Sequence, residues 1–431
     1  KIMETNELIS RISRADITAD ERLEALGEIM KKVRSGEIET PERGIFVNNH
    51  IHTSYSFSPY TPTSALFNAW RAGLRTAGIM DHDSVGGMRE FIRAGEIIGM
   101  PITCGFECRV NVDTTPLVGK KINNPDQCSC AYLAMHGIPH QSIDKAEAVL
   151  SGLREKRNVR NRKMCEKITA LTEEYGITLD FDKDVYPLSK ADEGGSVTER
   201  HICYGLTKKI NAKYPDREAA CDFIDKLCGK KMAEKTRQKL ISAPENFYEY
   251  DILGVLKSSL VEKFYVPATD ECMNIRQFTA FAKELGAISA YAYLGDVGES
   301  PTGDKKAQKF EDDYLPLLFD TLKDCGFNAV TYMPSRNTPE QLDRVMKLCE
   351  ENGFFQISGE DINSPRQSFI CEALTKYPHL MTATYALIGH EMAATEDITK
   401  AMFSDSTKEK YPDLNERMHA YAAHAENGAE I

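Results

Sequence analysis

Hydrophobic and polar positions alternate in different ways along the chain, and the changes mark its parts. In residues 1–44, Leu23, Leu26, Ile29, Met30 and Val33 recur at the spacing of one helix face, and Thr18 is placed to cap that helix. From Ile45 onward, short β-rich runs alternate with amphipathic stretches. IFVNNHIH, RTAGIMDHD, PITCGFECRVNV and CSCAYLAMHG read as strands, with helices around SALFNAWRAG and GMREFIRAGEIIG. Residues 144–265 lose the strand signal and read as a helical insertion, beginning with the long charged run AEAVLSGLREKRNVRNRKMCEKITALTEEYG. The β/α rhythm returns over residues 266–375 with GAISAYAYLGD, FNAVTYMPSR and FFQISGEDINS, and residues 376–431 read as a helical tail. Seven strand candidates, four before the insertion and three after it, predict an α/β fold. The architecture expected is an incomplete barrel of parallel β/α units.

Composition narrows the function. The 431 residues are 42% hydrophobic and 27% charged, which excludes a disordered or collagen-like chain. Fifty-three basic against sixty-five acidic residues give a net charge of −12, opposite to the basic footprint of a general nucleic-acid binder. An anionic substrate stays possible, because a local cluster or a metal reverses the sign within one cleft. No apolar run reaches the length of a membrane helix, so no membrane partner is expected. The first forty residues carry charges throughout and lack the apolar core of a signal peptide. Twelve cysteines without a CxxC pair point to reduced thiols and a cytoplasmic location.

The chemistry concentrates at strand ends. His50 and His52 close the first strand candidate, and residues i and i+2 of a strand face the same way. His82 ends the second, within Asp81-His82-Asp83, Glu107 stands near the end of the third, and Asp361 follows the last. Barrel enzymes assemble their sites at the C-terminal ends of strands. Three imidazoles and two carboxylates form a nitrogen and oxygen donor set suited to zinc, manganese or iron. The other histidines lack such company: His390-Glu391 has no second His of an HExxH motif, and His140, His379, His419 and His424 show no partner in sequence.

The runs NNHIHTSYSFSPYTP, AGIMDHDS and GFECRV resemble the polymerase and histidinol phosphatase (PHP) family of metal-dependent phosphoesterases. RHICYGL is similar to a segment of that family's helical insertion, and GEDIN stands in the place of its final ligand strand. The resemblance runs from about Ile45 to Ser368. It implies a distorted seven-stranded, TIM-like barrel with a helical insertion and helical extensions. It also implies that His50, His52, Glu107 and Asp361 hold a first metal, that Glu107 bridges to a second, and that His82 serves a further ion with Asp83 or Asp81 orienting it.

The chain departs from that pattern at several points. Phe57 and Ser58 replace an acid or histidine, Tyr293 stands where a ligand histidine is expected, and Asn363 replaces the final histidine as a weak neutral donor. On the fourth strand register favours Tyr132, with His136 on the same face as a substitute ligand. One or two divalent ions are therefore expected. For a phosphate, Arg200 and His201 are placed by resemblance. Arg157 and Arg160 share a helix face, and Arg336 and Arg366 lie at the barrel mouth. A polar segment after Tyr293 reads as a plain surface loop or, alternatively, as a lid with Lys305 or Lys306 contacting anions. The expected function is metal-dependent hydrolysis of a phosphoester by metal-activated water, with Glu107, His201 and Asp83 as catalytic residues. The substrate expected is a small phosphorylated metabolite or nucleotide. An amidohydrolase-type reaction at carbon, or a non-catalytic barrel that keeps a metal or ligand, are the alternatives.

Overall fold

The computed structural model describes residues 2–298 and 307–431; Lys305 and Lys306 of the loop or lid after Tyr293 fall outside them. The strands are β1 (Val47–Ile51), β2 (Thr76–His82), β3 (Ile102–Asn111), β4 (Cys130–His136), β5 (Met273–Asn274), β6 (Ile288–Ala292), β7 (Ala329–Tyr332) and β8 (Phe355–Ser358). All eight belong to one sheet: seven follow the order β1-β2-β3-β4-β6-β7-β8, and β5 pairs off that path with β3. Four strands precede the helical insertion and three barrel strands follow it, as the sequence pattern predicts.

One strand runs against expectation. β4 is antiparallel to both β3 and β6, whereas the other barrel pairs are parallel. The cause is the connection. Residues 112–129 contain no helix, and a parallel return needs a crossover element while an antiparallel one does not. The first residues of β4, not the last, therefore lie toward the mouth formed by the C-terminal ends of the parallel strands.

The barrel is nearly closed. Between β1 and the segment after β8 a single parallel bridge joins Ile51 to Ile362, with Ile362 N–H donating to His50 O (3.2 Å) and His52 N–H donating to Ile362 O (3.0 Å). Asn49 Nδ2 donates across the same seam to Ser358 O (2.8 Å), and Asn48 adds to it. Its Nδ2 donates to Glu360 O (3.0 Å), and its Oδ1 accepts from Glu360 N–H (3.0 Å) and His50 N–H (2.9 Å).

Three hydrophobic clusters support this frame. One lies between the barrel and its surrounding helices, and it includes Leu23, Leu26, Ile29 and Met30 of the helix Ala19–Arg34. That helix begins with a Thr18–Glu21 capping box, the start its sequence predicts. A second fills the barrel end opposite the mouth, where Met80, Ala134, Ile288 and Ala329 meet Ala383, Ala386 and Leu387 of the helix Pro378–Glu396. That helix crosses Leu414–Asn427 so closely that a methyl group at Gly389 would sit 1.9 Å from the carbonyl oxygen of Tyr421. The third belongs to the helices from Ile143–Thr172 to Val261–Phe264 and receives one barrel residue, Phe57. Phe57 holds a positive φ of 131°, a conformation an L side chain adopts only when its surroundings fix it. Here its ring is fixed among His201, Tyr204 and Tyr250.

Candidate functional site

At the mouth, five side chains from four segments converge: three imidazoles approach one carboxylate oxygen of Glu107, and Asp361 meets His52. Glu107 Oε1 lies 3.4 Å from His50 Nε2, 3.3 Å from His52 Nε2 and 3.2 Å from His82 Nδ1. His52 Nε2 is also 3.2 Å from His50 Nε2 and 3.2 Å from Asp361 Oδ1. Backbone register explains the convergence. His82, the last residue of β2, sits beside Glu107 of β3, and β1 takes three steps between Asn48 and Ile51 where β2 takes two. That irregularity re-aims the end of β1. Opposite, Gly359 lets the chain pass His50, since a methyl group there would lie 2.7 Å from its Cβ.

These separations fit a cation. Donor atoms bound at about 2.0–2.1 Å in a tetrahedron lie about 3.3–3.4 Å apart along its edges. Hydrogen bonding alone does not satisfy the group: the buried Nδ1 of His82 has no well-aligned partner despite its nearness to Glu107. Burial disfavours a charged His52, but Asp361 and Glu107 outweigh it and raise its pKa to about 10. Burial likewise opposes ionisation of Glu107, yet His82 and His50 hold it well below the usual carboxylate range. His82 itself is lowered to about 3 by burial. His52 thus holds a proton between its two carboxylates, one that a bound cation would displace, while His82 stays neutral.

Other groups orient the ligands. His52 Nδ1 is 3.1 Å from Ser56 Oγ, which donates to Asp81 Oδ1 (2.6 Å). Asp81 also accepts from Thr53 N–H (2.7 Å) and Thr53 Oγ1 (2.6 Å). Asp81 therefore acts on the β1 loop and His52, not on His82. Asn363 donates Nδ2 to Asp361 Oδ1 (2.7 Å), so it positions that carboxylate from within the cleft.

Several expected site residues do other work. His136 is buried inside the barrel below the cluster because β4 is antiparallel, and burial lowers its pKa to about 3. Tyr132 occupies the mouth instead, with its ring 5.8 Å from that of His82. Tyr293 donates to Asp312 Oδ1 (2.5 Å) in the turn beyond β6. His201 accepts Thr198 N–H at Nδ1 (3.0 Å) as part of a capping box at the start of helix Glu199–Lys213. Arg366 forks onto Asp251 (2.8 and 2.7 Å) over the ring of Phe247, and Arg336 is exposed, donating to Leu294 O (3.2 Å).

Arg157 and Arg160 are buried, and neither is a solvated face nor a free phosphate clamp. Arg160 donates to Glu199 Oε1 (2.7 Å) and Glu271 Oε2 (2.9 Å). Arg157 donates to Glu199 Oε2 (3.0 Å) and pairs with Asp83. Arg109, missed in sequence, joins Glu199 (2.7 Å) to Glu271 (3.2 Å). Burial works against ionised Glu199, but the three guanidiniums hold its carboxyl far below its usual range. Asp83 thus belongs to this network and not to His82.

Arg200 and Lys257 differ from these arginines. Both line the cleft that contains His82, Tyr132 and Asn363, and neither makes a hydrogen bond or ion pair among the described residues. Arg200 stands in the first turn of Glu199–Lys213, whose N-terminal N–H groups favour an anion. Lys257 comes from helix Glu245–Ser259, and burial, then Arg200, lower its pKa. Nothing in its sequence neighbourhood, DILGVLKSS, distinguishes it from a surface lysine.

No family model matches the chain, and no curated protein matches it in sequence. Solved structures do. A candidate metal-dependent phosphoesterase from Bifidobacterium adolescentis superposes with a TM-score of 0.50 at 20% identity, covering 76% of this chain and 92% of that one. An amidohydrolase from Chromobacterium violaceum, solved with bound sulfate and no metal, gives 0.49 at 17% identity, covering 74% and 88%. What the chain shares with the phosphoesterase is its fold, the TIM-like α/β barrel that the resemblance to the PHP family implies.

Proposed function

We propose that the protein is a PHP-type, metal-dependent hydrolase of small phosphomonoesters. One observation carries this reading: a five-ligand nitrogen and oxygen cluster shares a cleft with two unpaired cations, Arg200 and Lys257. His50, His52, Glu107 and Asp361 would hold one divalent ion, and Glu107 with His82 a second, of the zinc, manganese or iron type. Such ions, when bound, supply Lewis-acid polarisation of a phosphoryl oxygen and lower the pKa of a water.

The chain's own residues do the rest. The Arg200 fork and the Lys257 ammonium hold the phosphoryl oxygens and offset the dianion's charge. Reaction at a carbon centre develops a single oxyanion and has no use for two further cations, which favours phosphorus over an amide. Ser56 and Asp81 fix the ring of His52. Tyr132, Leu294 and Met333 wall a space of about 200 Å³ for the leaving group, which keeps it small.

The test is phosphate release from a panel of phosphomonoesters with manganese or zinc, run beside amide and lactone substrates. Wild type is expected to release phosphate. Glu107→Gln, which keeps the volume and removes the shared charge, is expected to lose more than the roughly 10–100-fold typical of groups that merely orient a ligand. Amide or lactone cleavage without phosphate release would overturn the reading.

A further inference from the structure

The end of the barrel opposite the mouth holds another group of metal-binding side chains. Cys104 of β3, His140 of the turn after β4, and Glu391 of helix Pro378–Glu396 each offer a ligand atom within 4.8 Å of the other two. We propose that these three residues form a second, independent cation site for a zinc-like ion, one that fastens the helix Pro378–Glu396 to the barrel.

The antiparallel course of β4 creates the site. It delivers the turn His140–Ser142 to the end where β3 begins, and Ile138 N–H there donates to Cys104 O (3.0 Å). The helix is then fixed against both. Glu391 Oε2 accepts Cys104 N–H (2.7 Å), Glu391 Oε1 lies 3.1 Å from His140 Nε2, and Gln141 donates to Ala394 O (2.7 Å). Neither histidine nor glutamate needs to move far to share an ion with the thiol.

Charge argues for a cation. Among the described residues Glu391 forms no ion pair with lysine or arginine, only the contact with His140. Thiolate, carboxylate and neutral imidazole sum to −2, which one divalent ion balances. His140 is about one-third exposed (37%), so solvent reaches one side and water can complete the shell. The donor set also differs in kind from the mouth cluster. A thiolate selects softer ions, zinc or cadmium over manganese.

That difference makes the site separately measurable. Cadmium titration of the full-length protein is followed by the ultraviolet thiolate-to-cadmium charge-transfer band, which the mouth cluster cannot produce. The tight-binding band of one equivalent is expected in wild type and in His50→Ala/His52→Ala, and Cys104→Ser should lose that equivalent while the other eleven thiols, the exposed Cys128 among them, keep theirs. His140→Ala changes a part-exposed residue and keeps the thiol; it should retain native circular dichroism, bind cadmium at least tenfold more weakly, and lose one equivalent of zinc. A band of unchanged size in Cys104→Ser, or unchanged cadmium affinity in His140→Ala, would overturn the site, whether or not phosphate hydrolysis is found.

Discussion

Two buried clusters of charge lie side by side in this barrel, and neighbouring residues feed them. β3 gives Glu107 to the mouth cluster and Arg109, two residues on, to the network behind it; β2 gives His82 to the first, and Asp83 follows into the second. The network is closed. Arg109, Arg157 and Arg160 face Asp83, Glu199 and Glu271, so three positive charges meet three negative ones. The mouth cluster is open: two carboxylates meet three imidazoles that must be neutral to act as ligands, leaving room for added positive charge. A closed network holds the insertion to the barrel, while an open one has the charge and the donors to take an ion. Strength of pairing therefore separates scaffold from site better than residue type does.

The contrast breaks most visibly at Glu199. Glu199→Gln strands guanidiniums in a buried setting, and losing one partner of a buried pair costs about 3–5 kcal/mol. Urea unfolding should register that loss with or without metal. Chelation should do the reverse, leaving the closed network untouched and acting through bound ions alone. An ion at a hundred times its Kd stabilises by about 2.7 kcal/mol. Thermal scans should lose that increment in wild type treated with chelator, and Glu107→Gln should show a smaller response.

Asp81→Asn is expected to weaken manganese or zinc affinity roughly 10–100-fold through Ser56 and His52, read by competition with a chromophoric chelator. Lys257→Met sharpens the comparison least forcefully. Losing one charged contact of about 1.5 kcal/mol lowers kcat/KM for a phosphomonoester roughly tenfold while leaving metal content unchanged. An equal loss of metal would place Lys257 in the scaffold instead.

Much of this was legible in the sequence, for identifiable reasons. Apolar runs ending in HxH, DHD and a glutamate mark both the strands and the side on which they end, because strand period and barrel polarity are local properties. Strand direction is not local. β4 has the same apolar texture as a parallel strand, and only the missing helix in residues 112–129 hints that it turns back. Register nonetheless favours Tyr132, which does stand beside His82, over His136, which lies deeper with its Nε2 unpartnered. Arg157 and Arg160 failed for another reason: the carboxylate of Glu271 that buries Arg160 lies 111 residues away. His201 was open to a better reading, since Thr198 three residues earlier is the spacing of a helix cap. Lys257 had no signal at all.

The seam held by Asn48 has a consequence in time. The two sides it joins, Asn48 and Glu360, are 312 residues apart. At a synthesis rate of about 5–20 residues per second, roughly 15–60 seconds pass between the emergence of one side and the other. Through that interval one edge of β1 has no strand to pair with, and an unpaired edge invites pairing with other chains. Asparagine at this edge keeps it polar while it waits, and the same side chain then shuts the barrel.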